Sequence, residues 1–184
     1  MTSFDTIIAG LLKNEGAYAN NKDDLGGETN FGITAATARS YGYTGPMSSL
    51  PRAKAVEIYQ SLYWTKPNYS EVYKLSPGIA IELLDTGVNM GTQVASEFLQ
   101  RSLNSLNRGG KDYADLVVDG NLGPKSLKAL STFLTFRGHD EAEHVLLKAL
   151  NCLQGARYIA LCEARQANET FLFGWLANRV DLSV

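Results

Sequence analysis

Apolar residues recur at helical spacing along most of the chain. Phe4, Ile7, Ile8, Leu11 and Leu12 form one stripe, with Ser3 as a start signal and Gly16 as a stop, so a first helix is expected from about Phe4 to Glu15. The segment 16–33 breaks that pattern with Gly16, Gly26, Gly27 and Gly32, and its end, "ETNFGIT", is the place for a short hairpin strand. Thr34 is expected to cap a short helix to about Tyr41, and Ser49 a helix from Pro51 to Trp64 with proline in its first turn. "IAIELLDTGVNM" is apolar on nearly every side and reads as a central buried helix opened by Ser76-Pro77.

Further on, Val94, Ala95, Phe98, Leu99, Leu103 and Leu106 line a helix capped by Thr92. "NRGGKDYADLVVDGNLGP" is the longest loop, with Asp119-Gly120 as a turn and Gly123-Pro124 as the start of the next helix. Helices are expected over about 124–136 and 140–167, and a last one from near Asn168. The expected fold is mainly α, seven to nine helices with at most one small β-hairpin.

Composition changes this picture little. The chain has 184 residues, 45% of them hydrophobic and 20% charged, which suits one compact domain or two small lobes. The net charge of −2 provides no chain-wide basic field, so a nucleic-acid partner is not expected. No apolar run approaches the roughly 20 residues that a membrane span needs. The N-terminal stretch has no basic region ahead of its short amphipathic run, so it reads as a first helix and not a secretory signal. Synthesis in a cytoplasm is the corresponding expectation.

Cys152 and Cys162 fall in one long helix, about 15 Å apart at helical rise, too far for a disulfide, and read as buried free thiols. "HDEAEH" over 139–144 spaces its histidines five apart, off a shared helix face, so it is a solvated helix start and not a zinc motif. No metal site or cofactor is expected.

Glu15 is the residue that stands out. Positions 4, 8, 11 and 15 share a helix face, so this acid continues an apolar stripe and sits at a helix C-terminus, where the macrodipole disfavours negative charge. Both effects favour the neutral acid, which a general acid requires. A salt-bridged or solvent-facing glutamate is the alternative at this point. The glycine-rich loop behind it carries Asp23 and Asp24 and can fold back to bring a second carboxylate near Glu15, the apparatus of glycoside hydrolysis. An Asx-turn without chemistry remains open, and the spacing does not suit an EF-hand calcium loop.

"EGAY" at 15–18 and "DLGGETNFGIT" at 24–34 resemble the signature of glycoside hydrolase family 108, the phage-type N-acetylmuramidases, with Ala17 for the usual glycine and Leu25 for the usual proline. "DTGVNMG" at 85–91, "FLQRSLN" at 98–104, "VDGNLGPKSLKAL" at 118–130 and "FLFGWLANRV" at 171–180 extend the resemblance in order over essentially the whole chain. It implies a lysozyme-like fold, with a catalytic region over 1–92 and a helical peptidoglycan-binding region over 93–184 packed with it as one compact unit.

It also implies cleavage of the β-1,4 bond between N-acetylmuramic acid and N-acetylglucosamine in peptidoglycan glycan strands, with Glu15 as the acid. The Glu–Asp–Thr pattern of phage lysozymes adds Asp24, after eight intervening residues, and Thr29, after four where the pattern has five. The endolysin reading implies a monomer, made in the host cytoplasm, that reaches the wall through a holin or equivalent pore.

Tyr18, Asn30, Tyr63, Trp64 and Asn89 are candidate substrate-binding residues, the aromatics by stacking on sugar rings and Asn89 by bonding an N-acetyl group. For Tyr63 and Trp64 the competing reading is core packing, and for Asn89 structural support. "FLFGWLANRV" reads either as a core-packing last helix or as a membrane-active tail. The rival function of another class is a non-catalytic wall-binding module on the same fold.

Overall fold

In the computed structural model, Ile8, Tyr18 and residues 28–181 are described. Glu15, Asp24 and most of the expected first helix and glycine-rich loop lie outside the described residues; Ile8 itself is helical and 1% exposed. The chain divides into two compact units, residues 1–65 and 66–184. The fold is mainly α: eight α-helices and one two-stranded sheet among the described residues.

Among the described residues the first unit carries a hairpin, β1 (Thr29–Asn30) and β2 (Ile33–Thr34), in the register Thr29 to Thr34 and Asn30 to Ile33. Its two-residue turn holds Phe31 and Gly32, both at positive φ (52° and 71°), the turn geometry that matches strand twist. Thr34 then caps helix α1 (Ala35–Ser40), its hydroxyl accepting from the Thr37 N–H at 3.1 Å. A 3₁₀ turn (Met47–Ser49) leads to α2 (Arg52–Gln60). Ser49 belongs to that turn and caps nothing; Pro51 stands at the N-cap of α2, whose start has no side-chain hydrogen bond. After Gln60 the chain widens into a π turn (Ser61–Thr65) where a continuous helix is expected. Ile33, Ala38, Met47, Leu50, Ala55, Ile58 and Tyr59 pack with Ile8 as the core of this unit.

The second unit is a bundle. Helix α3 (Tyr69–Leu75) is one that sequence patterning does not anticipate. It is followed by α4 (Pro77–Met90), α5 (Thr92–Leu106), α6 (Pro124–Arg137), α7 (His139–Ala164) and α8 (Glu169–Arg179). Helix α4 is the expected central one: it packs on α3, α5 and α7, and of its residues only Asn89 is exposed. Ser76 caps it through the Ile79 N–H, with proline in the first turn.

The long connection between α5 and α6 has no regular structure and is held by three amides on one face of α5. Asn104 donates to the Leu116 carbonyl (2.8 Å) and accepts from the Leu116 N–H (2.7 Å), as a β-strand neighbour would. Gln100 accepts from Asp119 and Gly120 N–H (3.0 and 2.9 Å) and donates to the Asp119 carboxylate and Asn121 carbonyl (2.8 and 3.1 Å). Asn107 donates to the Asp115 carboxylate at 2.6 Å and accepts from Gly110 N–H at 2.9 Å. Leu122, 1% exposed, then inserts into the bundle, so this loop completes the core of the unit.

Helix α8 lies against α7, with Leu176 and Val180 packed over Gly155. Trp175 stacks on Tyr158 with ring centroids 5.0 Å apart, but no residue of this helix is buried and Phe173 is 85% exposed. Its polar tie is Arg179, which donates to Asp85 of α4 at 2.7 Å. Two distant sequence motifs, 85–91 and 171–180, thus meet in one ion pair. Gln154 of α7 donates to Thr86 (3.0 Å) and Asp85 (3.3 Å) beside it. Glu82, one turn before Asp85, is raised to about 7, first by burial and then by the negative charge of Asp85. Both cysteines are free, but Cys152 is exposed, against the expectation of two buried thiols; it faces outward on α7 while Cys162 faces inward.

Gln100→Ala removes the partners of four backbone or carboxylate groups in the α5–α6 connection and is expected to destabilise the protein by about 2 kcal/mol or more in urea unfolding. Glu82 gives a pH signature. A carboxyl raised from 4.5 to about 7 holds its proton in the fold while the unfolded chain has lost it. Stability therefore falls as pH rises through that window and stays low above it. Glu82→Gln should match the parent near pH 4 and exceed it at pH 8 by about 1–3 kcal/mol in thermal melts.

Candidate active site

Six of the eight residues singled out in the sequence are described, and five lie in the first unit. Thr29 is half-buried in β1, its register fixed by pairing with Thr34. Asn30, 7% exposed, donates its side-chain amide to the Met47 carbonyl at 2.7 Å, tying the hairpin to the 3₁₀ turn. Tyr18, 40% exposed, donates its hydroxyl to the Glu28 carboxylate at 2.7 Å. The hairpin thus brings Thr29, Asn30 and, through Glu28, Tyr18 to one locality. Asn89 belongs to the second unit, where it is exposed and donates to the Asp85 carbonyl of its own helix at 2.9 Å.

Tyr63 and Trp64 sit in the π turn. Tyr63 is half-buried and stacks on Tyr59, centroids 5.5 Å apart, while Trp64 is 8% exposed. Trp64 therefore presents almost no free ring face, and the competing reading of core packing describes its position. A π turn inserts one residue into the helical ladder and re-aims the side chains that follow it. In this turn Trp64 is buried and Tyr63 is half-buried.

Two residues of this locality were not singled out in the sequence. Tyr59 donates its hydroxyl to the Phe31 carbonyl at 2.9 Å, closing the hairpin tip against α2. Glu28 offers its carboxylate beside Thr29, while its carbonyl accepts from the Ala35 N–H at 2.9 Å. Its position inside the "GGETNFG" motif was the available signal; for Tyr59 it was the four-residue spacing to Tyr63. The arrangement is a short, twisted hairpin pinned at its base by Asn30, at its tip by Tyr59 and at its exit by Thr34. It fixes the Asn30 amide and the backbone that carries Glu28 and Thr29.

Among the described residues no group of three or more histidine, cysteine or acidic side chains is arranged to hold a metal, and no helix is long and apolar enough to cross a membrane. Tyr59→Phe is expected to cost about 1 kcal/mol of stability through the freed Phe31 carbonyl. Amide exchange at Phe31 and Gly32 should quicken with it, and protection equal to the parent's would show that this bond does not pin the turn.

Comparison with known proteins accounts for the motifs. The family model described as glycosyl hydrolase 108 matches residues 8–91, and the one described as predicted peptidoglycan domain matches residues 94–180. No curated protein matches the chain. A solved structure of SagA from Brucella abortus is similar, with 25% identity, a TM-score of 0.63, and coverage of 95% of this chain and 87% of that one. The two family matches follow each other over most of the sequence: residues 8–91 belong to the glycosyl hydrolase 108 family, and the pair of matches supports a glycoside hydrolase that is, at the level of the family, a peptidoglycan hydrolase.

Proposed function

We propose that this protein is an N-acetylmuramidase, cleaving the β-1,4 bond between N-acetylmuramic acid and N-acetylglucosamine, with Glu15 as the general acid. The observation that carries the reading is the glycosyl hydrolase 108 match over residues 8–91, a span that holds the whole Glu15–Asp24–Thr29 pattern. The pinned hairpin supports it, because Thr29 and Asn30 lie on backbone that strand pairing, the Asn30 amide and the Tyr59 hydroxyl tie down.

In this reading Glu15 donates its proton to the glycosidic oxygen as the bond to the leaving sugar breaks. Asp24 activates water or stabilises positive charge developing on the ring, and Thr29 positions that water. Tyr18 and Tyr63 offer ring faces to the saccharide and Asn30 holds the loop. Trp64 supports Tyr63 from within the core, and Asn89 contacts an N-acetyl group outside the first unit. The catalytic region spans residues 1–92 and the wall-binding region 93–184. The endolysin form of the reading adds a monomer, made in a host cytoplasm and released to the wall through a holin-type pore.

Glu15→Gln keeps the shape of the side chain but cannot donate a proton as an acid does. Clearing of outer-membrane-permeabilised cells by the folded variant should fall by roughly 10²–10⁴-fold; clearing at the parental rate would remove Glu15 from the mechanism. For Asp24 the informative pair is Asn against Ala. A charge role predicts that Asp24→Asn already loses at least about tenfold in rate with an unchanged melting temperature. Full activity in Asn, with loss of both activity and stability in Ala, would instead make Asp24 a turn former.

A further inference from the structure

The connection between α5 and α6 does more than close the bundle. Two hollows, ≈ 430 and ≈ 470 Å³, open on either side of it and share Asp115, Leu116 and Lys125 as their common wall. Each lies within the roughly 300–1,000 Å³ range of small-ligand sites. Their floor is rigid, because Leu116 is bonded in both directions by Asn104, and Asp119 and Gly120 by Gln100. Val117, on the wall of the first, is 77% exposed.

The charges along this groove are of both signs and are not spent on each other. Lys125 and Lys128 form no hydrogen bond or ion pair among the described residues. Asp115 meets the Asn107 amide and no cation, whereas neighbouring Asp112 is neutralised by Arg108. Asp119, at the far end, is held below the usual carboxylate range by the Gln100 amide and the Asn121 N–H, and so stays ionised.

An N-acetylated glycan strand carries no free charge where its lactyl carboxyls are joined to peptide, so it would leave these groups unmatched. The aromatic ring available for sugar stacking here, Tyr113, is half-buried, and its hydroxyl donates to the Leu103 carbonyl at 2.7 Å. The stem peptides that hang from the same strand carry free carboxylates and the ammonium of a diamino acid. Resting on the peptidoglycan reading of this chain, we propose that the groove around Asp115, Leu116 and Lys125 binds the stem peptide. Lys125 and Lys128 take a peptide carboxylate, and Asp115 takes the ammonium. The second unit thereby reads peptide while the first reads glycan.

The test uses the full chain and two soluble probes, the tetrapeptide L-Ala-γ-D-Glu-L-Lys-D-Ala and N-acetylchitotetraose, by calorimetry and amide chemical-shift mapping. The expected result is peptide binding that weakens with salt and shifts amides of residues 112–128. Its Kd should rise at least about tenfold in Lys125→Glu/Lys128→Glu and again in Asp115→Asn. These side chains are exposed, and an unchanged circular-dichroism melt checks that the variants fold. No binding at millimolar peptide, binding undiminished by charge reversal, shifts mapping elsewhere, or chitotetraose in the same groove would each overturn the proposal. Peptide binding needs no bond cleavage. A chain that cuts glycan but ignores the peptide sinks the groove alone, and one that binds the peptide but releases no sugar reducing ends sinks the muramidase reading alone.

Discussion

A side-chain amide shut away from water must find partners inside the protein, because leaving it unpaired costs about 1–3 kcal/mol. In this chain that demand shapes the backbone at the hairpin and along the α5–α6 connection. Asn30 spends its buried amide on the Met47 carbonyl and so fixes the hairpin. Gln100, Asn104 and Asn107, one or two helical turns apart on α5, hold a connection that has no ladder of its own. Asn68 donates to the Leu122 carbonyl and ties the end of that connection to the start of α3. Irregular backbone in a small protein is ordinarily mobile and its polar groups are ordinarily wet. Here the amides make it part of the fixed frame.

That frame bears on function in both units. A glycosidase gains from polar groups whose positions do not relax as charge develops, and a hairpin tied at tip, base and exit meets that need with few residues. A wall-binding surface faces a different problem, since its polymer is repetitive, extended and only partly charged. A rigid strap with unpaired charges of both signs can choose the charged part of such a polymer. The acidic balance of the chain, net −2, gives no general attraction to an anionic wall, so placement of individual charges has to supply selectivity.

Much of the helical frame was legible in the sequence because local signals and burial agree. Thr34 and Ser76 each lie ahead of a helical run, and both cap helices as read. The apolar run at 79–90 is the central helix. Helix α3 was missed for a physical reason: it is one short stretch between Pro67 and Pro77, and it starts from a left-handed Asn68 with no capping bond. The π turn after Gln60 keeps the apolar spacing of a helix, so periodicity alone cannot reveal it, and with it goes the burial of Trp64. The last helix shows the opposite failure. Its aromatic content suggests a buried element, yet Phe171 and Phe173 face outward, and the helix is held by Trp175 and by the Arg179–Asp85 pair. Within the site, the motif marked Thr29 and Asn30; their clamps, Tyr59 and the Met47 carbonyl, are distant in sequence and carry no pattern of their own.

The central claim is the identity of the bond that is cut. Sacculi digested by the protein and then reduced with borohydride report it directly, because only a newly exposed reducing sugar takes up hydride, and mass spectrometry distinguishes the two sugars. The account predicts fragments ending in reduced N-acetylmuramic acid. Fragments ending in reduced N-acetylglucosamine, or peptides freed from glycan of unchanged length, would contradict it.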